Sequence, residues 1–113
     1  MESQVKLDEE RIELLGKFKQ HLPETYAAER GVIDTVYQDG ALSVKVKRLM
    51  ALAIALRVGC TNCILGQTKR ALEQGATREE ILETISVNVA MSGTTGFADA
   101  LRVLKLLDEL GIL

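Results

Sequence analysis

Residues Leu49 to Leu56 are apolar without a break. The run follows the charged residues Lys45, Lys47 and Arg48 and closes on Gly59, directly ahead of Cys60. Ser43 is a residue that caps helix starts, and Gly59 is one that ends them, so the segment reads as a helix from about Val44 to Val58. A helix that is apolar on every side belongs at the centre of a core or in an interface. The rest of the chain has to be laid around it.

The remaining pattern supplies more helices and no strand signal. Leu7, Ile12, Leu14, Leu15 and Phe18 follow one helical face between Leu7 and Gln20, with charged residues on the other side and residues 1–6 as a frayed start. Pro23 suits the first position of a second helix, with Tyr26, Ala27, Val32, Ile33, Val36 and Tyr37 on its inner side and a possible break at Gly31. Glu24, Glu29 and Asp34 form its solvated face, and His21 caps a helix end. Asp39-Gly40 is a turn. Gly75 closes the helix that follows the cysteines. Thr77 and Glu80 make a capping box for the next helix, which carries Ile81, Leu82, Ile85, Val87, Val89 and Met91, with Asn88 as a satisfied polar contact among them. Ser92-Gly93-Thr94-Thr95-Gly96 interrupts this helix as a junction of close backbone packing. It follows no strand and lacks the Lys-Ser/Thr ending of a phosphate loop. A last helix runs from about Phe97 to Leu110 and stops at Gly111. With 47% hydrophobic residues, 4% aromatics and a single proline, the composition agrees with an all-α protein. The 113 residues make one small domain, read as N-terminal helices over 1–39 and a core over 40–113. A domain this small has limited interior, so part of its apolar surface is expected to meet other subunits.

The chemistry concentrates at Gly59-Cys60-Thr61-Asn62-Cys63, which holds both cysteines of the chain. One helical turn places the two sulfurs on one face within reach of a disulfide. Unpaired N–H groups of the first turn favour the thiolate, the reactive form. Gln67 lies one turn beyond Cys63. Two other readings compete. Both thiols can be packed as small hydrophobes. A metal site is the other, but one Cys pair supplies half of a tetrahedral set, and the lone His21 is far away in sequence.

Fourteen Lys and Arg against sixteen Asp and Glu leave a net charge of −2, so no basic excess points to nucleic acid. The longest apolar run is too short to span a bilayer, and no signal peptide is expected from an N-terminus that is acidic and polar where such a peptide is basic then apolar. The expectation is a cytoplasmic protein, where a Cys pair serves redox chemistry more readily than stapling.

The order Gly40-Ala41-Leu42-Ser43-x-Lys45, an apolar helix, Gly59-Cys60-x-x-Cys63, Ala71-Leu72-x-x-Gly75-Ala76-Thr77-x-Glu79-Glu80-Ile81 and a small-residue break resembles the carboxymuconolactone decarboxylase family over residues 40–107. Within it the resemblance is to alkylhydroperoxidase AhpD-like members. It implies an all-helical fold assembled into homotrimers or homohexamers. It also implies thiol-based peroxidase or disulfide reductase activity at Cys60 and Cys63, with a peroxide or a disulfide as oxidant and a lipoyl-bearing or other thiol protein as reductant. No cofactor or metal is implied. The family pattern has His four residues after the second Cys and Glu twelve before the first; here those places hold Gln67 and Arg48. Gln67 hydrogen-bonds but takes up no proton at neutral pH. Arg48, if it reaches the pair, stabilises a thiolate by its fixed charge instead of acting as a base; if it does not, it is a surface residue of the first turn.

Two further functions remain open. Lactone decarboxylation would have only Arg48, Arg57 and His21 to work with, and nothing in the sequence gathers them. A non-catalytic oligomeric sensor or binding protein accounts for the loss of both relay residues.

Overall fold

A computed structural model describes all 113 residues as six α-helices. They are α1 (Gln4–His21), α2 (Pro23–Val36), α3 (Val44–Val58), α4 (Thr61–Glu73), α5 (Arg78–Ser92) and α6 (Thr94–Glu109), with no strand. The all-α expectation is met, and α3 is the hub: α4, α5 and α6 all pack against it. Leu52, Ala55 and Leu56 of α3 meet Ile64 and Ala71 of α4, Ala76, Ile81 of α5, and Val103 and Leu107 of α6 in one core. Each full burial of a Leu or Ile removes apolar surface worth about 2 kcal/mol from water.

Local caps set the ends of these helices. Ser43 Oγ accepts from the Val46 N–H at 3.2 Å, and Asp39 Oδ1 accepts from the Val44 N–H at 2.8 Å. Thr77 and Glu80 make the reciprocal capping box that starts α5, with bonds of 3.0 and 3.1 Å. Glu80 also pairs with Lys45 at 2.9 Å, which ties the start of α5 to the start of α3.

The first two helices depart from the sequence reading. The chain is not frayed to residue 6, because α1 begins at Gln4 behind Ser3. The Ser3 hydroxyl donates to Glu109, and the Gln4 N–H donates to Glu109 Oε1 at 2.7 Å, so a carboxylate from the end of α6 satisfies the positive start of α1. The buried residues of α1 are Gln4 and Asp8, whereas Ile12, Leu14, Leu15 and Phe18 are exposed. α1 packs on α4 and α6, and every residue of it from Ile12 on is exposed. Gly31 does not interrupt α2, which packs on α1 and buries no residue; Val32 and Val36 are exposed. Even α3 is covered on one side only, with Met50, Ile54 and Val58 left in a row on its open face.

The small-residue break shrinks to one residue. Gly93 alone leaves the helical conformation, and Gly96 lies within α6. A side chain at Gly96 would bring its first carbon to 3.0 Å from Asn88 Nδ2 and 3.1 Å from Val89 Cα. The close approach of α5 and α6 depends on that missing carbon. Asn88 is only half satisfied: its Oδ1 accepts from Ser92 Oγ at 3.1 Å, but its buried Nδ2 has no partner.

Candidate functional site

Gly59 ends α3 at φ 80°, a left-handed conformation that glycine adopts without strain. The Cys60 N–H reaches back to Ala55 O at 3.2 Å, closing the helix stop. Cys60 then becomes the N-cap of α4, and its carbonyl accepts from the Ile64 N–H at 2.9 Å. One residue therefore ends the turn after one helix and opens the next.

This geometry serves the sulfurs directly. The Cys63 N–H points at Cys60 Sγ, 3.2 Å away, in the place where a Ser or Asp oxygen would normally cap. Such a donor favours negative charge on Cys60. Cys60 and Cys63 are joined as a disulfide with their Cα atoms 5.2 Å apart. Cys60 is half-buried and Cys63 is exposed. A packed-hydrophobe reading of the two thiols does not describe this pair. No group of three or more His, Cys, Asp or Glu side chains stands close enough to hold a metal ion.

Arg48 is not a free surface residue. It extends from α3 to α4, where its Nη1 donates to Gln67 Oε1 at 3.2 Å. Its guanidinium lies flat on the Tyr37 ring, 3.4 Å from the centroid. Its Nε is buried without a partner. Burial, with Arg70 and Arg30 nearby, lowers its pKa below the ordinary arginine value against the opposing pull of Tyr37 and Glu73. Arginine still keeps its charge under such shifts. Gln67 stands one turn beyond Cys63 on the same face of α4, so the Arg48–Gln67 pair flanks the disulfide.

Two neighbours escaped the sequence reading. Tyr37, at the end of α2, supplies the platform under Arg48. Asp99 of α6 brings Oδ2 to 3.3 Å from where a Gly59 side chain would begin, and its Oδ1 lies 3.8 Å from Arg102 Nε. Nothing local in the sequence connects Asp99 to Gly59; only the packing of α6 beside the α3–α4 turn does. His21 and Arg57 are exposed, and the depression beside His21 is lined by Leu22, Pro23, Glu24 and Thr25, with neither Arg48 nor Arg57 in it.

Comparison with known proteins follows the same lines. The model of the carboxymuconolactone decarboxylase family matches residues 23–106. An uncharacterized protein of Cupriavidus necator is 38% identical over 95 residues, spanning 84% of each chain. An uncharacterized protein from the cox locus of Paracoccus denitrificans is 41% identical over 75 residues, 66% of this chain and 68% of that one. Among solved structures, a carboxymuconolactone decarboxylase family protein from Legionella pneumophila superposes with a TM-score of 0.87 at 30% identity, over 94% of this chain and 95% of that one. A Thermotoga maritima protein of the same family, described in connection with an antioxidative response, gives a TM-score of 0.78 at 30% identity over 93% and 89% of the two chains.

Proposed function

Because this chain belongs to the carboxymuconolactone decarboxylase family, we propose that it is an AhpD-like thiol–disulfide oxidoreductase that cycles Cys60 and Cys63 between dithiol and disulfide. The observation that carries the reading is the closed Cys60–Cys63 bond at a helix start, with Cys63 open to solvent and a backbone N–H on Cys60 Sγ. Cys63 is the sulfur that meets the substrate. Cys60, whose thiolate the N–H favours, resolves the mixed disulfide.

Disulfide reduction fits the surroundings better than peroxide reduction. Cleaving ROOH yields ROH and a protein sulfenic acid, and the departing oxygen needs a proton at that moment. Gln67 and Arg48 supply no proton acid at neutral pH. A thiolate leaving a disulfide needs far less proton help. Peroxidase activity of the family type therefore takes second place. A non-catalytic sensor is the alternative, favoured by that same absence of a proton relay.

The chain's apolar exposed surface supports assembly with other copies. Met50, Ile54 and Val58 on α3, and Ile12, Leu14, Leu15 and Phe18 on α1, are large side chains facing outward. Patches of that kind mark protein contacts, and a homotrimer or homohexamer is the assembly we propose. No helix is long and apolar enough to cross a membrane. We place the protein in the cytoplasm, where a lipoyl-bearing or other thiol protein would return the pair to the dithiol.

Mass counting of alkylated thiols tests the cycle. Protein is reduced, exposed in parallel to hydrogen peroxide and to a small disulfide, then treated with dihydrolipoamide. The expected result is loss of two thiols with the disulfide, slower loss with peroxide, and full recovery with the dithiol. Two thiols that stay alkylatable throughout refute the redox function. Oxidation and recovery without catalytic turnover of any disulfide would leave the sensor reading in its place.

A further inference from the structure

Seven arginines lie in the chain, and Arg48 stands apart from the others. Arg11, Arg30, Arg70, Arg78 and Arg102 each have a carboxylate within 4 Å. Arg57 is exposed to water. Arg48 is half-buried, has no carboxylate, and spends one N–H on the neutral Gln67 oxygen. A guanidinium removed from water without an anion is an unfinished interaction. It is held in place all the same, by the Tyr37 ring on one side and Gln67 on the other. Glu73, the carboxylate whose charge acts on it, is already engaged with Arg70 at 3.1 Å.

We propose that Arg48 and Gln67, set on the Tyr37 ring one helical turn from Cys63, form an anion subsite that selects disulfides carrying a carboxylate. The proposal rests on the disulfide reductase reading and names the class of substrate for that site. Arg48 keeps Nη2 and Gln67 keeps Nε2 as donors that no protein group uses, and a carboxylate accepts from two such N–H groups at once. The reaction is an exchange. The Cys63 thiolate attacks one sulfur of RS–SR, a protein–SR bond forms, and RS⁻ leaves and takes a proton from water. The Cys60 thiolate then attacks Cys63 Sγ, the Cys60–Cys63 bond closes, and the second RS⁻ leaves. The protein loses two electrons and the substrate gains two, becoming two thiols. The guanidinium neutralises the carboxylate of the bound half throughout. The same residue can favour the Cys63 thiolate by charge alone, so the test has to separate selection from activation.

Three small disulfides differ mainly in charge: dithiodipropionate is dianionic, hydroxyethyl disulfide is neutral and cystamine is dicationic. The rate at which each oxidises the reduced protein is measured by quenched alkylation for wild type, Arg48→Gln and Gln67→Glu. The second variant leaves the arginine in place and gives it a carboxylate of its own, so the subsite is filled without removing the side chain. Loss of one charge-assisted contact at this partly exposed position predicts a fall of about tenfold in the dithiodipropionate-to-hydroxyethyl-disulfide rate ratio in both variants, with no fall in the cystamine ratio. An unchanged ratio in either variant overturns the subsite and leaves the exchange chemistry standing. Equal slowing with all three disulfides also overturns it and assigns Arg48 to thiolate activation. Failure of all three to oxidise the wild-type pair overturns the reductase reading, and the subsite with it.

Discussion

Asp8→Asn is the substitution whose effect the structure specifies most fully. Asp8 is 1% exposed between α1 and α4. Its Oδ1 accepts from Arg11 Nε at 2.9 Å and lies 2.8 Å from Arg11 Nη2. Its Oδ2 meets Lys69 Nζ at 2.7 Å as an ion pair. Burial alone would raise the Asp8 pKa; hydrogen bonding to Lys69 and Arg11 and their charges outweigh it, and the pKa is lowered. Asparagine keeps an acceptor for Arg11 but turns an NH₂ group toward the Lys69 ammonium. Breaking a fully buried pair costs about 3–5 kcal/mol. Lys69 is 36% exposed and Arg11 19%, so both cations regain water, and the expected loss is about 2–3 kcal/mol. In urea this moves the midpoint down by roughly 1–2 M at fixed protein concentration, with the slope unchanged. The sign of the pH dependence follows from the lowered pKa. The stabilisation is fully present above the unfolded aspartate pKa of about 3.9 and is lost as pH falls through the lower folded value. The variant never has it, and Glu2, Glu79, Glu80 and Glu109, whose pKa values are also lowered, are common to both proteins. The gap between the two unfolding curves should therefore hold from pH 7 to about pH 5 and narrow below about pH 4. A gap under about 0.5 kcal/mol at neutral pH, or one that does not narrow in acid, would refute the assignment of Asp8 as the electrostatic tie of α1 to α4.

Other substitutions probe separate parts of the structure. Gly96→Ala places a carbon 3.1 Å from Val89 Cα and 3.2 Å from Asn88 O, backbone that cannot swing aside, so it should lower stability by about 1–3 kcal/mol in a thermal melt. A neutral melt would mean that α5 and α6 separate freely. Arg48→Met removes the fixed positive charge bonded to Gln67, one turn from Cys63, and the pH profile of thiol alkylation in the reduced protein should move upward; an unmoved profile takes Arg48 out of thiolate stabilisation. Ile54→Lys puts a charge on the open face of α3, where Ile54 is 62% exposed, and light scattering should report a smaller assembly with unchanged helix content. An unaltered mass excludes that face from the subunit contact.

Helix ends were legible wherever a cap is made from neighbouring residues. Ser43 and Gly59 bound α3 at Val44–Val58, as the pattern predicts, and Thr77 with Glu80 starts α5. The start of α1 at Gln4 has a local cap, Ser3 Oγ accepting from the Lys6 N–H at 3.2 Å, and the contact with Glu109, over a hundred positions away, is the part no local pattern carries. Val32 and Val36 of the second helix were expected on its inner side and are exposed. Periodicity marks which residues share a side of a helix and says nothing about what that side meets.

The candidate site divides in the same way. The amino-acid order by itself determined an all-α chain, a central apolar helix and a Cys pair at the opening of the next helix, because capping, period and three-residue spacing are short-range properties of the backbone. Tertiary structure alone decided that Arg48 lies on Tyr37 and reaches Gln67, that Asp99 approaches Gly59, and that Gln4 and Asp8, not Leu14 and Leu15, are the buried residues of α1. Those outcomes depend on which helices become neighbours. That choice is made by the summed packing of α3 against α4, α5 and α6, and no window of sequence contains it.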